Sequence, residues 1–251
     1  MILIISSEHD VHAQAVLAAF ARRGVDNVHL LDLSDFPMRM QMDMRLDNNG
    51  QSDFALTLPG NGRVPMQAVT AVWWRRPQMF RPPETVRKPE DRHFILTEAA
   101  TAFQGMWQAS HAMWVNNILR DAAAAHKPWQ LALAKRSGLT IPQTLITNDP
   151  EQAWAFWEKH PNEGVFKGFT ATVHAWRETR RLREADLAFA DTIQLAPVIF
   201  QRYVPAVVDL RITIIGEQVF AAEAHNEEYD LDIRLSAKLE YRPRSCRPMC
   251  R

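Results

Sequence analysis

The chain opens on an unbroken apolar run. Residues 1–7 (MILIISS) predict a buried strand. Val11, Ala15, Leu17, Ala18 and Phe20 then recur at helical spacing until Gly24, a residue suited to a helix C-cap. Residues 28–33 (VHLLDL) predict a second strand, and a strand–helix–strand start of this length suits a parallel sheet. After Pro37 the period changes to two. MQMDMRL and DFALTL alternate on either side of Asp47-Asn48-Asn49-Gly50, which predicts a β-hairpin. Residues 69–74 (VTAVWW) return as an apolar strand that ends at Arg75-Arg76-Pro77.

The proline-rich stretch 79–90 predicts a loop, followed by a helix over 91–109, a WVNN loop and a helix from Pro128 to Ser137. TLIT is a short strand. Further on the spacing predicts helix 150–159, strand 164–168, helix 183–190 and strands 197–204, 207–215 and 218–224. Ile215-Gly216-Glu217 turns the last two into a hairpin. The expected class is therefore α/β in the first half and α+β with an antiparallel sheet in the second.

Composition narrows the chemistry. Of 251 residues, 47% are hydrophobic and 23% charged, which is an ordinary globular balance. Lys plus Arg equals Asp plus Glu, 29 each, so there is no basic excess of the kind a nucleic-acid binder shows. The only cysteines, Cys246 and Cys250, make neither a zinc motif nor a disulfide scaffold. No membrane-length apolar run and no signal-peptide pattern are present, so a cytoplasmic protein is expected. Only nine glycines occur, with no GxxxxGK and no GxGxxG. A bound nucleotide would thus need side-chain cations around its phosphates. HExxH and GxSxG are also absent.

Lys127 opens a helix and Lys167 ends the strand VFK, a position that can aim an ammonium while the strand fixes its base. Either is also compatible with an ordinary surface lysine. The strand PVIFQRYV carries Gln201, Tyr203 and Val204 up to Pro205, where departure from a sheet would expose backbone groups to a flat heterocycle. A plain hairpin edge would read the same way. Asp209-Leu210-Arg211 and Asp232-Ile233-Arg234 repeat one pattern. In a strand each Asp and Arg share a face, and the carboxylate can orient a guanidinium towards phosphate. The Arg75-Arg76 pair could face a substrate or only cap a strand end.

This order of lysine, strand-borne lysine, FQ-x-YV strand and two Asp-x-Arg pairs resembles the ATP-grasp ligases of the glutathione-synthetase-like group. AVWWRRP, WVNN and KPWQLALAKRSGLTIPQTLITN are similar to the microviridin-type maturases of ribosomal peptides. The resemblance runs from about residue 1 to about residue 236 and is most specific over 114–148. It implies a pre-ATP-grasp α/β domain over 1–112, an incomplete ATP-grasp domain over 113–242 and a disordered tail over 243–251. It implies ATP and magnesium as cofactors, with a peptide as substrate. Lys127 and Lys167 would hold phosphates. Gln201, Arg202, Tyr203 and Val204 would meet adenine, Asp209 the ribose, and Arg211 and Arg234 the phosphates or an acyl phosphate. The implied reaction joins a carboxylate to an amine or hydroxyl.

Family members carry magnesium ligands further on. Here LSAKLEYRPRSCRPMCR follows Arg234, with no strand or helix period, so a truncated and catalytically silent chain is expected. Glu223, Glu227, Glu228 and Asp230 are read as a solvated loop, and the metal ligands as unknown. The alternative is a non-catalytic nucleotide- or peptide-binding protein. No nucleic-acid or membrane partner is expected, and a homo-oligomer is left open.

Overall fold

In this computed structural model, residues 1–48, 52–60, 62–170, 178–206, 208–226, 231 and 239–244 are described. The chain divides into two compact units, Met1–Ala125 and His126–Arg251.

The first unit is built on β1 (Ile2–Ile5), α1 (Val11–Arg22), β2 (Val28–Leu31), β3 (Gln41–Leu46), β4 (Ser52–Leu58), β5 (Gly62–Pro65), β6 (Ala71–Trp74), α2 (Pro89–Gln108), β7 (Met113–Val115) and α3 (Ile118–Ala124). Four parallel strands form a sheet in the order β2-β1-β6-β7. Leu3, Ile4 and Ile5 have no exposure, as expected of a strand paired on both edges and covered on both faces. Asp10 starts α1 by accepting from the N–H groups of His12 (2.8 Å) and Ala13 (3.3 Å), satisfying two otherwise orphaned donors. Gly24 follows the helix at φ +69°, a conformation that favours glycine.

The alternating residues form β3 and β4, and β5 adds a third antiparallel strand to that hairpin. The expected WVNN loop is partly strand: β7 joins the edge of the parallel sheet, and Asn117 caps α3 by accepting from Leu119 and Arg120 N–H. The unit thus extends beyond residue 112, because both elements complete it. Its core gathers Phe103, Met106 and Trp107 of α2 against Leu3, Ile5 and Val72 of the sheet, with Phe36 edge-on to Phe103.

The second unit holds α4 (Lys127–Arg136), β8 (Thr144–Thr147), α5 (Pro150–Lys159), β9 (Gly164–Lys167), β10 (Arg180–Arg181), a 3₁₀ helix (Glu184–Leu195) and β11 (Val198–Arg202). It continues with β12 (Asp209–Ile215), β13 (Gln218–Asn226) and β14 (Leu239–Arg244). One sheet has the order β10-β9-β11-β8 and the other β12-β13-β14. Phe156 of α5, Leu182 and Phe200 of β11 form a core with Leu145 and Phe166 packed against it. The helix expected over 183–190 is the longer 3₁₀ segment.

Two sequence expectations are corrected here. LEYRPR does form a strand, pairing Arg242 with Glu223 and Arg244 with Ala221, so residues 243 and 244 belong to a sheet rather than a tail. Cross-strand hydrogen bonds supply what periodicity did not show. Glu223 is not in a loop but in β13, where Arg244 and His225 hold its carboxylate. Residues 245–251 lie outside the described set. Among the described residues no helix is long and apolar enough to cross a membrane.

Candidate nucleotide site

The second unit brings Lys127 and Lys167 together. Lys127 is the first residue of α4, and its ammonium donates to the carbonyl of Gly168 (3.1 Å) and to that of Phe169. Those carbonyls follow directly on Lys167, the last residue of β9, so the tip of one lysine is anchored at the base of the other. Both side chains are half-buried. Burial pushes the Lys167 ammonium below its usual pKa, and the charge of Lys127 pushes it further the same way. No hydrogen-bond or ion-pair partner for the Lys167 ammonium lies among the described residues. Two cations held close, one of them partly desolvated and unpaired, form a site that an anion would stabilise.

Register places that site relative to β11. Phe166 of β9 pairs with Phe200, and Lys167 with Ile199. Strand residues alternate sides, so Phe166 and Phe200 turn to the core while Lys167, Ile199, Val165 and Gln201 share the opposite face. At about 3.3 Å per residue, Tyr203 lies about 13 Å along the strand from the level of Lys167.

β11 ends at Arg202, where the chain leaves the sheet through Tyr203 and Val204; Gln201 to Val204 are termed the hinge. Gln201 is buried and its side-chain amide donates to Thr144 Oγ1 (2.9 Å), which spends that amide on tying β11 to β8. Arg202 Nε donates to Glu163 (2.9 Å), and its N–H to Gln143 O. Tyr203 N–H donates to Glu163 O (2.6 Å), and its ring lies 3.8 Å from the Arg181 guanidinium. Val204 is 59% exposed, and no backbone hydrogen bond reaches it among the described residues. Arg181 and Glu163, which position the hinge, carried no signal in the sequence. They meet it only through strand pairing.

Asp209 and Arg211 stand on one face of β12, paired with Ala224 and Ala222, but no ion pair joins them. Arg211 is exposed, and no hydrogen bond or ion pair holds its side chain among the described residues. Arg234, with Asp232, lies outside the described residues, as do Glu227, Glu228 and Asp230. Among the described residues no three His, Cys, Asp or Glu side chains converge as a metal centre. In the first unit, Arg75 and Arg76 cap β1. Both N–H groups donate to Ile5 O, and Arg75 Nε sits 3.3 Å from Asp10.

A parallel-sheet unit followed by a unit of antiparallel sheets is the fold of ATP-grasp ligases preceded by a pre-ATP-grasp domain, and the comparisons agree on that fold. Residues 1–122 match the family model of the MvdD pre-ATP grasp domain. The macrocyclase MdnC bound with precursor peptide MdnA, from Microcystis aeruginosa MRC, is 24% identical with a TM-score of 0.84, over 98% of this chain and 79% of that one. The ATP-grasp ligase PsnB complexed with minimal precursor is 25% identical with a TM-score of 0.70, over 96% and 75%. A RiPP-associated ATP-grasp ligase from Chryseobacterium gregarium, in complex with ADP and a leader and core peptide, is 22% identical with a TM-score of 0.77, over 90% and 69%. No curated protein matches in sequence. The chain resembles the microviridin-type ATP-grasp ligases, as its motifs implied.

Proposed function

We propose that this chain is an ATP-dependent ligase that joins a carboxylate of a peptide to an amine or hydroxyl through an acyl phosphate. The convergence of Lys127 and Lys167 carries the reading, because a partly desolvated, unpartnered cation is costly unless an anion completes it. Adenine would lie against the hinge, with its edge on the backbone groups of Val204 and its face beside Tyr203. Triphosphate would then extend from the end of β11 towards the two ammonium groups. Asp209 would meet the ribose, and Arg211 with Arg234 the transferred phosphoryl.

In the reaction a peptide carboxylate oxygen attacks the γ-phosphorus and ADP leaves. The amine or hydroxyl then attacks the acyl carbon, loses its proton, and phosphate leaves. Cations fixed before the reaction lower the cost of the charge that spreads over the phosphoryl oxygens. Magnesium bound with the nucleotide would add neutralising charge there.

Adding millimolar ATP with magnesium should raise the melting temperature, and a candidate precursor peptide should then release ADP with loss of one water from the peptide mass. ATP binding without ADP release would favour the alternative, a nucleotide-binding protein without turnover. No thermal response to ATP in a folded sample would remove both.

A further inference from the structure

The first unit contains a pocket of about 610 Å³ that the nucleotide site does not use. It opens at the carboxyl ends of β1 and β2, where the crevice of a parallel sheet commonly receives ligands. Leu31, Met40 and Leu58 lie beneath it and are buried, and Met38, 65% exposed, presents the apolar surface of its lining. The volume is that of a small-molecule or side-chain site.

The rim is charged and unevenly so. Glu8, Asp32, Asp35 and Glu84 line the pocket, against the guanidiniums of Arg39 and Arg81. Arg39 is already paired with Asp35 at 3.1 Å. That leaves three carboxylates and Arg81. His9 lies 3.6 Å from Glu8 but is highly exposed, so it screens that carboxylate little. One oxygen of Asp32 accepts from Ser34 N–H at 2.8 Å, which fixes the carboxylate and leaves its other oxygen available. Arg81 has no side-chain partner among the described residues.

The walls are tied in place. Arg81 N–H donates to Phe36 O at 3.2 Å, pinning the proline-rich segment to the opposite rim. Arg92 of α2 donates to Pro83 O (3.3 Å) and Val86 O (3.0 Å), holding the rest of that segment. Pro82 and Pro83 stiffen it further. Such a pocket loses little on filling, because its walls are ordered beforehand.

We infer that this pocket takes the basic side chain, lysine or arginine, of a peptide. The methylene stem would lie against Met38, and the cationic head would meet a carboxylate of the rim, Glu8, Asp32 or Glu84. Arg81 would take a backbone carbonyl of the same peptide. The inference rests on the reading of a peptide substrate, and it adds which residue type the first unit selects.

The test is a titration of the full chain with Nα-acetyl-lysine methylamide, followed by amide NMR shifts, beside the norleucine analogue. Saturable binding is expected for the lysine probe, with shifts at Asp32 and Glu84, and at least tenfold weaker binding for norleucine. Glu84→Gln and Asp32→Asn should each weaken the lysine probe about threefold to tenfold, whereas Lys167→Ala should leave it unchanged. Glu84 is exposed, so its variant decides the matter even if Asp32→Asn fails to fold. Equal binding of norleucine, no saturation by either probe, or no effect of Glu84→Gln overturns the inference. An ATP thermal shift on the same samples separates this outcome from failure of the nucleotide site.

Discussion

Lys167 is the residue whose behaviour discriminates best between a binding site and a surface accident. Its folded pKa lies below the ordinary lysine value because burial and then Lys127 disfavour the charged form. The folded state therefore binds fewer protons than the unfolded one over the window below 10.5. The destabilisation is fully present below the folded pKa and fades as pH rises to 10.5. Lys167→Met should raise the melting temperature of the ligand-free chain at pH 7 by about 1–2 °C, kept small because water still screens a half-buried ammonium. The same change should abolish an ATP-induced rise of about 5–10 °C, expected with ATP at about one hundred times its Kd. A variant that melts lower and still responds to ATP would end the phosphate assignment.

Asp10 presents the opposite sign. Burial works to raise its pKa, but the N–H groups of His12 and Ala13, the Ser6 hydroxyl and the Arg75 charge outweigh it, so the net shift is downward. Its stabilising contribution is present above the unfolded pKa and is lost as pH falls through the lowered folded one. Asp10→Ala should cost about 2 kcal/mol in denaturant unfolding at pH 7, from the lost cap and the unpaired Arg75. That difference should shrink towards pH 3. A difference that does not change with pH would mean the carboxylate charge is irrelevant.

Among the elements, β11 and β12 make an instructive pair. Both are apolar in sequence, but Ile199 of β11 is wholly buried while Ile212 of β12 is 55% exposed, with Leu210 and Ile214 on the same face also exposed. Ile199→Ala should cost about 2–5 kcal/mol by loss of burial and the cavity left behind. Ile212→Ala should stay within about 0.5 kcal/mol, since little burial is lost. Equal costs in urea unfolding would show that this face of β12 is covered in solution. The periodicity of the two strands is alike. What separates them is which strand faces the folded chain covers.

At the scale of the whole molecule, each unit has its own apolar cluster, and that of the first is the larger among the described residues. Calorimetry should therefore resolve two transitions, the lower belonging to the second unit. Phe156→Ala should lower only that transition, by about 3–5 kcal/mol of stability, and Phe103→Ala only the upper one. ATP should move the lower transition alone, because the lysines and the hinge all belong to the second unit. A single transition that both variants shift would show that the units unfold together.

Local pattern carried much of this. The apolar run of β1, the helix ending at Gly24, the alternation of β3 and β4 and the turn at Gly216 depend on neighbours in the chain, so the sequence by itself determined them. The two lysines could be picked out as candidates because their positions at element ends follow from the same local rules. Only the tertiary structure decided that they meet, since Lys127 reaches carbonyls some forty residues away. Strand β14, the Tyr203–Arg181 contact, the Gln201–Thr144 bond and the pocket at the ends of β1 and β2 are likewise products of long-range pairing. Hydrogen bonds between distant strands leave no period in either sequence, which is why these features became visible only once the chain was folded.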